Sequence, residues 1–208
     1  MKNLLNNELA ELVGLMLGDG CLSNSSGRHM IYISGHKVDD LEYHSKITKN
    51  LFKSIFNKDV KINFRKDENT LFIRFSDKTI FEKFSSLGLP IGIKYSNLKI
   101  PKEFLSKKLF LPFMRGLFDT DGCLVFSKQH KSIPYYPRIE ISSKSQIFLL
   151  DIFEKLKKYG FYGSVSKKGQ QFRLEIPGFK NISLWLSLIG SNNPKHVNKF
   201  KKINPKSL

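Results

Sequence analysis

Asp19 and Asp121 stand 102 positions apart, each followed by Gly-Cys-Leu and each at the end of an apolar stretch. Carboxylates that meet in pairs suit hard divalent cations. Mg²⁺ takes one or two of them together with substrate phosphate oxygens. A metal held in this way activates water and stabilises the leaving oxygen in phosphodiester cleavage. Stability alone does not favour the arrangement. A carboxylate at a helix C-terminus opposes the helix dipole, and two carboxylates side by side repel each other. A divalent cation between them removes both penalties. A lone Asp-Gly is a common turn dipeptide that stops a helix. Its recurrence in matching contexts argues for chemistry.

Helices must deliver these groups. Gly14 and Gly18 are four apart, on one helix stripe, and Gly116 and Thr120 repeat the spacing. Glycine inside a helix costs about 0.5–1 kcal/mol relative to alanine, so two glycines imply a steric need. The expectation is that each helix packs closely on its own copy across a pseudo-two-fold axis. Gly20 and Gly122 are expected as left-handed helix caps.

The repeat extends further. Leu12–Leu22 (LVGLMLGDGCL) and Met114–Leu124 (MRGLFDTDGCL) agree at six of eleven positions. IYISGHK at 31–37 recurs as IEISSK at 139–144, and KTIFEKFSSLG at 78–88 recurs as KNISLWLSLIG at 180–190. The offset returns to 102, so one half has lengthened its first hairpin and shortened its second. The chain reads as an N-terminal unit (1–100), a C-terminal unit (101–192) and a basic, irregular tail (193–208), with the join near 89–109.

Each unit runs helix, two strands, helix, two strands, helix. In the first unit the helices are expected at 7–17, 38–56 and 79–87, and strands at 30–34, 60–65 and 71–76. In the second they fall at matching places: strands at 124–128, 138–142, 164–167 and 171–176, and a helix at 145–159. The fold class is α+β, two pseudo-symmetric αββαββα units with antiparallel sheets. Helices cover one face of each sheet and leave the other free.

The free faces point to a partner. Lys and Arg total 35 against 18 acids, a formal charge of +17. That predicts a polyanion: DNA, RNA or an anionic membrane surface. Codon bias in an AT-rich genome accounts for part of the excess. Lys61, Asn63 and Arg65 alternate with apolar Val60, Ile62 and Phe64; Arg74 faces away from Ile73. In the second unit Arg138 and Glu140 oppose Ile139 and Ile141, and Arg173 and Glu175 oppose Leu174 and Ile176. Such side chains read base edges in the major groove, which admits a two-stranded ribbon. A solvated polar face has the same alternation. Lys195, Lys199, Lys201, Lys202 and Lys206 in the tail suit salt-sensitive phosphate contacts.

Cys21 and Cys123 are too few for a disulfide-stapled fold and are expected to be small buried residues. No Cys-x-x-Cys or His pair suggests zinc. No signal peptide or apolar run long enough to span a bilayer is visible. A monomeric, intracellular protein is expected, without a membrane partner.

With the paired segments in view, the chain resembles the LAGLIDADG homing endonucleases in their single-chain, two-motif form. The first motif is Leu12–Gly20 and the second Met114–Gly122. The resemblance covers nearly everything before the tail and implies a saddle of sheets with helices on its outer face. It implies that Asp19 and Asp121 are metal-binding catalytic acids, with the carbonyls of Gly18 and Thr120 as further ligands. Mg²⁺ is the implied cofactor, and Mn²⁺ can substitute. The implied reaction is cutting of both strands of a long double-stranded DNA site across the minor groove. Leu17 departs from the signature's first acid, which Asp119 keeps; that position is not the family's essential acid.

Lys37 and Lys144 fall just after the second strand of each unit. In the family a lysine there often lies near the active site, where it could stabilise the transition state or position water. Ordinary exposed lysines would look the same. His36, beside Lys37, is a water-organiser or a plain surface residue. The leading expectation is an intron-encoded, site-specific double-strand DNA endonuclease. The alternative is an intron RNA maturase on the same scaffold with weak or lost cleavage. A transcription regulator is disfavoured because no separate helix-turn-helix is evident. An intein is disfavoured because the chain has no room for splicing blocks and begins at Met1.

Overall fold

The computed structural model describes residues 5–94, 98–128 and 134–203. Two copies of one arrangement follow each other. In the first, α1 (Asn7–Gly18) leads to β1 (Gly20–Ser23), β2 (Met30–His36), α2 (Leu41–Tyr43), a π-helical turn (His44–Thr48) and α3 (Lys49–Phe56). Then come β3 (Ile62–Phe64), β4 (Thr70–Ser76) and α4 (Lys78–Ser86). In the second, α5 (Lys107–Asp121) leads to β5 (Gly122–Ser127), β6 (Tyr136–Ser143) and α6 (Gln146–Lys157). It closes with β7 (Ser164–Lys168), β8 (Gln171–Pro177), α7 (Phe179–Leu188) and α8 (Pro194–Phe200). The sheets run β1-β2-β4-β3 and β5-β6-β8-β7, all antiparallel. Among the described residues no helix is long and apolar enough to cross a membrane.

Local chemistry fixes the ends. Asn6 caps α1 by accepting from the Leu9 N–H at 2.8 Å, Asp77 caps α4 and Ser145 caps α6. Leu9, Leu12, Val13, Leu15 and Met16 are all buried. An α1 apolar on nearly every side belongs at the centre of the molecule. Strand alternation is obeyed: Ile31, Ile33, Leu71 and Ile73 point into the first core, and Ile139, Ile141, Leu174 and Ile176 into the second. The opposite faces carry Tyr32 stacked on Phe72, with Arg74, and the cluster of Arg138, Glu140, Arg173 and Glu175.

Four expectations change. The long helix of the first unit starts at Leu41 rather than Val38; residues 37–39 form an exposed turn, closed by the His36 N–H donating to Asp40 Oδ2 at 2.8 Å. Gly20 and Gly122 are not left-handed caps. They open β1 and β5, and Gly122 is extended (φ −94°, ψ 162°). Glycine is needed there for space: an added Cβ would lie 2.7 Å from Met16 Cα at the first position and 2.6 Å from Phe118 O at the second. Cys21 and Cys123 are only half-buried, both free thiols on the open sheet faces. The tail is not irregular. Asn193 caps α8, Pro194 supplies a preset first turn, and His196 and Phe200 bury against Phe118. Of its lysines, Lys206 lies outside the described residues.

Candidate active site

The site begins at the α1–α5 pair. A Cβ on Gly14 would sit 2.0 Å from Phe113 O, and one on Gly116 would sit 2.0 Å from Glu11 O. Backbone therefore touches backbone. At the next turn Gly18 meets the Thr120 side chain instead, and Thr120 Oγ1 donates back within its own helix to Gly116 O or Leu117 O, 3.0 Å from each. Beneath the contact, the guanidinium of Arg115 grips the Glu11 carboxylate at 2.8 and 3.1 Å, which locks the two helices across the units.

Such close packing brings the helix ends together. Asp19 caps α1, its N–H donating to Leu15 O at 3.0 Å, while its carbonyl accepts from Ser34 on β2. Asp121 is the last residue of α5. A Cβ on Gly18 would lie 3.5 Å from Asp121 Cγ, so the carboxyl of one motif borders the backbone of the other. Both acids are hard to ionise. Burial, then the charges of Asp121 and Asp40, push Asp19 up to about 7. Burial pushes Asp121 up to about 6 against the pull of Lys94 and Lys195. Two acids strained in this way at one point, beside the Gly18 carbonyl, form an oxygen-rich donor set that suits a hard cation. Among the described residues no three His, Cys, Asp or Glu side chains cluster. A metal here would rest on the two carboxylates, main-chain oxygens and phosphate.

The cations are not quite those foreseen. Lys144 lines a cleft with Gly18, Lys94, Asp121, Ser142, Ser143 and Gln171. Lys37 is placed differently: exposed, with Nζ 5.7 Å from the Phe64 ring centroid and its N–H on Asn69 O. The charges acting on Asp19 are Asp121, Asp40, Lys195 and Lys94. Lys94, on the linker, has no sequence signal, and Lys195, on the tail, was expected at phosphates rather than beside these acids; each lies outside the repeated segments. Lys94 Nζ donates to Leu17 O at 2.7 Å and to Gly18 O. Lys195 Nζ pairs with Asp40 at 2.7 Å. Burial opposes ionisation of Asp40, but donors from Lys195, the His36 N–H and Asn193 hold its carboxyl below the usual range.

Asp119, the acid kept from the signature, has a structural partner set. Ser191 Oγ and the Asn192 N–H donate to its carboxylate, and Asn193 Nδ2 donates to its carbonyl at 2.9 Å and to Asp40 at 3.3 Å. The start of the tail thus fastens both units beside the acid pair.

On the open faces Arg74, Lys61, Asn63 and Arg65 are exposed, and Arg65 also donates to the Tyr32 hydroxyl at 3.1 Å. Glu140 differs. It is buried, and its carboxylate pairs with Arg138 at 2.5 Å and Arg173 at 2.9 Å. It orients two arginines, while Glu175 stands more loosely beside them at 3.8 and 4.0 Å.

Paired α1 and α5 helices carrying acids under two antiparallel sheets define the two-unit LAGLIDADG fold. Residues 111–190, in the second unit, match the family model of the LAGLIDADG-like domain. The chain superposes on I-DmoI in complex with DNA and Ca with a TM-score of 0.65, at 16% identity, covering 94% of this chain and 97% of that one. Full-length DUF199/WhiA from Thermatoga maritima gives 0.62 at 22% identity, covering 94% and 59%. In sequence, 205 residues are 26% identical to part of the replication factor C small subunit of Methanocaldococcus jannaschii, over 95% of this chain. A 208-residue stretch is 26% identical to part of the tRNA-splicing ligase RtcB of Pyrococcus furiosus, over 87% of this chain. The chain spans 10% and 21% of the length of these two relatives.

Proposed function

We propose that the protein is a site-specific, divalent-metal-dependent endonuclease that cuts both strands of a long DNA site. One observation carries this reading: two carboxylates, half-buried Asp19 and exposed Asp121, meet where the paired helices end, although desolvation and the Asp121 charge raise the proton affinity of Asp19 to about 7. A fold shared with WhiA does not by itself decide for cutting; the acid pair is what supports that reading.

When bound, Mg²⁺ or Mn²⁺ would supply a polarised water and a counter-charge for the scissile phosphate. Asp19, Asp121 and the carbonyls of Gly18 and Thr120 are the groups that would hold it. Lys144, which lines the cleft, would attract the phosphate. Arg74, Arg138 and Arg173 on the open faces supply cationic forks suited to guanine edges or phosphates. Double-stranded DNA is the proposed partner and a monomer the working unit, since both acids come from one chain. Related stretches lie inside much longer proteins with unrelated names. Such scatter suits a mobile coding unit, and homing of that unit is the proposed biological setting.

The test is selection of linearised molecules from a plasmid library with random inserts, in Mg²⁺. The wild type should return one long motif, and Asp121→Asn should return none. Tight binding of the host intron RNA by a wild type that linearises nothing would favour a maturase instead.

A further inference from the structure

The linker between the units is held in place. The Gly92 N–H donates to Leu22 O at 2.7 Å, and Ile91 bridges to Leu22 beside β1. This path directs Lys94 inward to the end of α1. Its ammonium donates to Leu17 O and Gly18 O, lines the cleft with Asp121, and feels the charges of both Asp121 and Asp19. A lysine can cap a helix C-terminus, but this one also faces the two acids offered to a metal. Its charge lies on the main-chain oxygen that a metal would need.

We propose that Lys94 is a tethered cation that fills the divalent-metal position of the free protein and swings out when the metal enters. The inference rests on the reading of Asp19 and Asp121 as metal ligands. An ammonium and a divalent ion cannot share the Gly18 carbonyl, because like charges at contact distance repel. The lysine therefore holds a positive charge beside the acid pair before DNA arrives and sets the metal concentration needed to load the site.

Two measurements on the full chain test this. In a Mn²⁺ titration followed by electron paramagnetic resonance, Lys94→Met should bind Mn²⁺ about tenfold more tightly than the wild type, a coupling typical of competing ligands. Unchanged or weaker binding would overturn the proposal, and is what a lysine serving only as linker anchor predicts. In the wild type, labelling of Lys94 by an amine-reactive ester, read by mass spectrometry, should rise when Mn²⁺ is added. Protection that persists at saturating Mn²⁺ would also overturn it, and this arm stands even if Lys94→Met fails to fold. If neither protein binds Mn²⁺, the metal reading falls and this proposal with it. If Mn²⁺ binds the wild type and is lost in Asp19→Asn, yet Lys94→Met gains nothing, only the displacement fails.

Discussion

Gly14 and Gly116 are reciprocal: each occupies the space that lets the other's helix approach, Gly14 against Phe113 and Leu117, Gly116 against Glu11 and Leu15. The same 102-residue offset relates Phe113 to Glu11 and Leu117 to Leu15. The contact is thus a true pseudo-two-fold, and it sets how near Asp19 and Asp121 come.

Gly14→Ala or Gly116→Ala must push two backbones apart. Overpacking of this kind costs about 1–3 kcal/mol or more, which lowers the melting temperature by roughly 2–4 °C per kcal/mol in a chain of this size. Calorimetry should show the fall, and nuclease assays a larger loss because the acids separate. An alanine tolerated without either change would mean that the helices are not in backbone contact.

The acid pair trades stability for chemistry. Without metal, Asp19→Asn should raise stability at pH 8 by about 1–3 kcal/mol, the scale of a pKa raised by a few units. It should stop double-strand cutting while leaving DNA binding intact. A variant that is less stable and still cuts would contradict both roles.

The pH dependence has a definite sign. Asp19 and Asp119 are raised to about 7 and Asp121 to about 6, each first by burial. Their folded values exceed the unfolded ones, so the stability these groups permit below pH 4 is lost as pH rises through 6–7. His44 and His196, lowered by burial to about 4 and about 3, act oppositely, losing stability as pH falls below 6.5. The raw curve sums the two. The rise in melting temperature on adding Mg²⁺ isolates Asp19 and Asp121, and it should be larger at pH 8 than at pH 5. An equal rise at both would place the bound ion elsewhere.

Glu140 holds Arg138 and Arg173 in place on the open face. Glu140→Ala leaves both with only the looser Glu175 and should cost about 1–3 kcal/mol, below the range for breaking a fully buried ion pair because both arginines are part-exposed. Arg74→Ala is exposed and should leave stability unchanged. It should weaken DNA binding by about 1–3 kcal/mol at one base position, or lower the salt slope by about one if it contacts phosphate. Fluorescence anisotropy across salt concentrations separates the two.

Much of this was legible in the chain. The helix stripe of Gly14 and Gly116, the strand alternation around Arg74 and Arg138, and the acid pair all rest on local spacing that repeats. What escaped depends on distant contacts. Gly20 and Gly122 look like caps because Asp-Gly usually turns, yet Met16 and Phe118 press against them. Lys94 and Lys195 lie in segments with no counterpart in the other half, so only the folded path of the linker and tail shows them. Lys37 and Lys144 look equivalent in sequence, but Lys37 sits at a turn beside Phe64.

The claim on which the account turns is that Asp19 and Asp121 share a cation. Crystals grown in Mn²⁺ and measured at the manganese absorption edge test it directly. The account predicts anomalous density between the two carboxylates and beside the Gly18 carbonyl. Manganese bound only elsewhere, with the carboxylates directed apart, would contradict it.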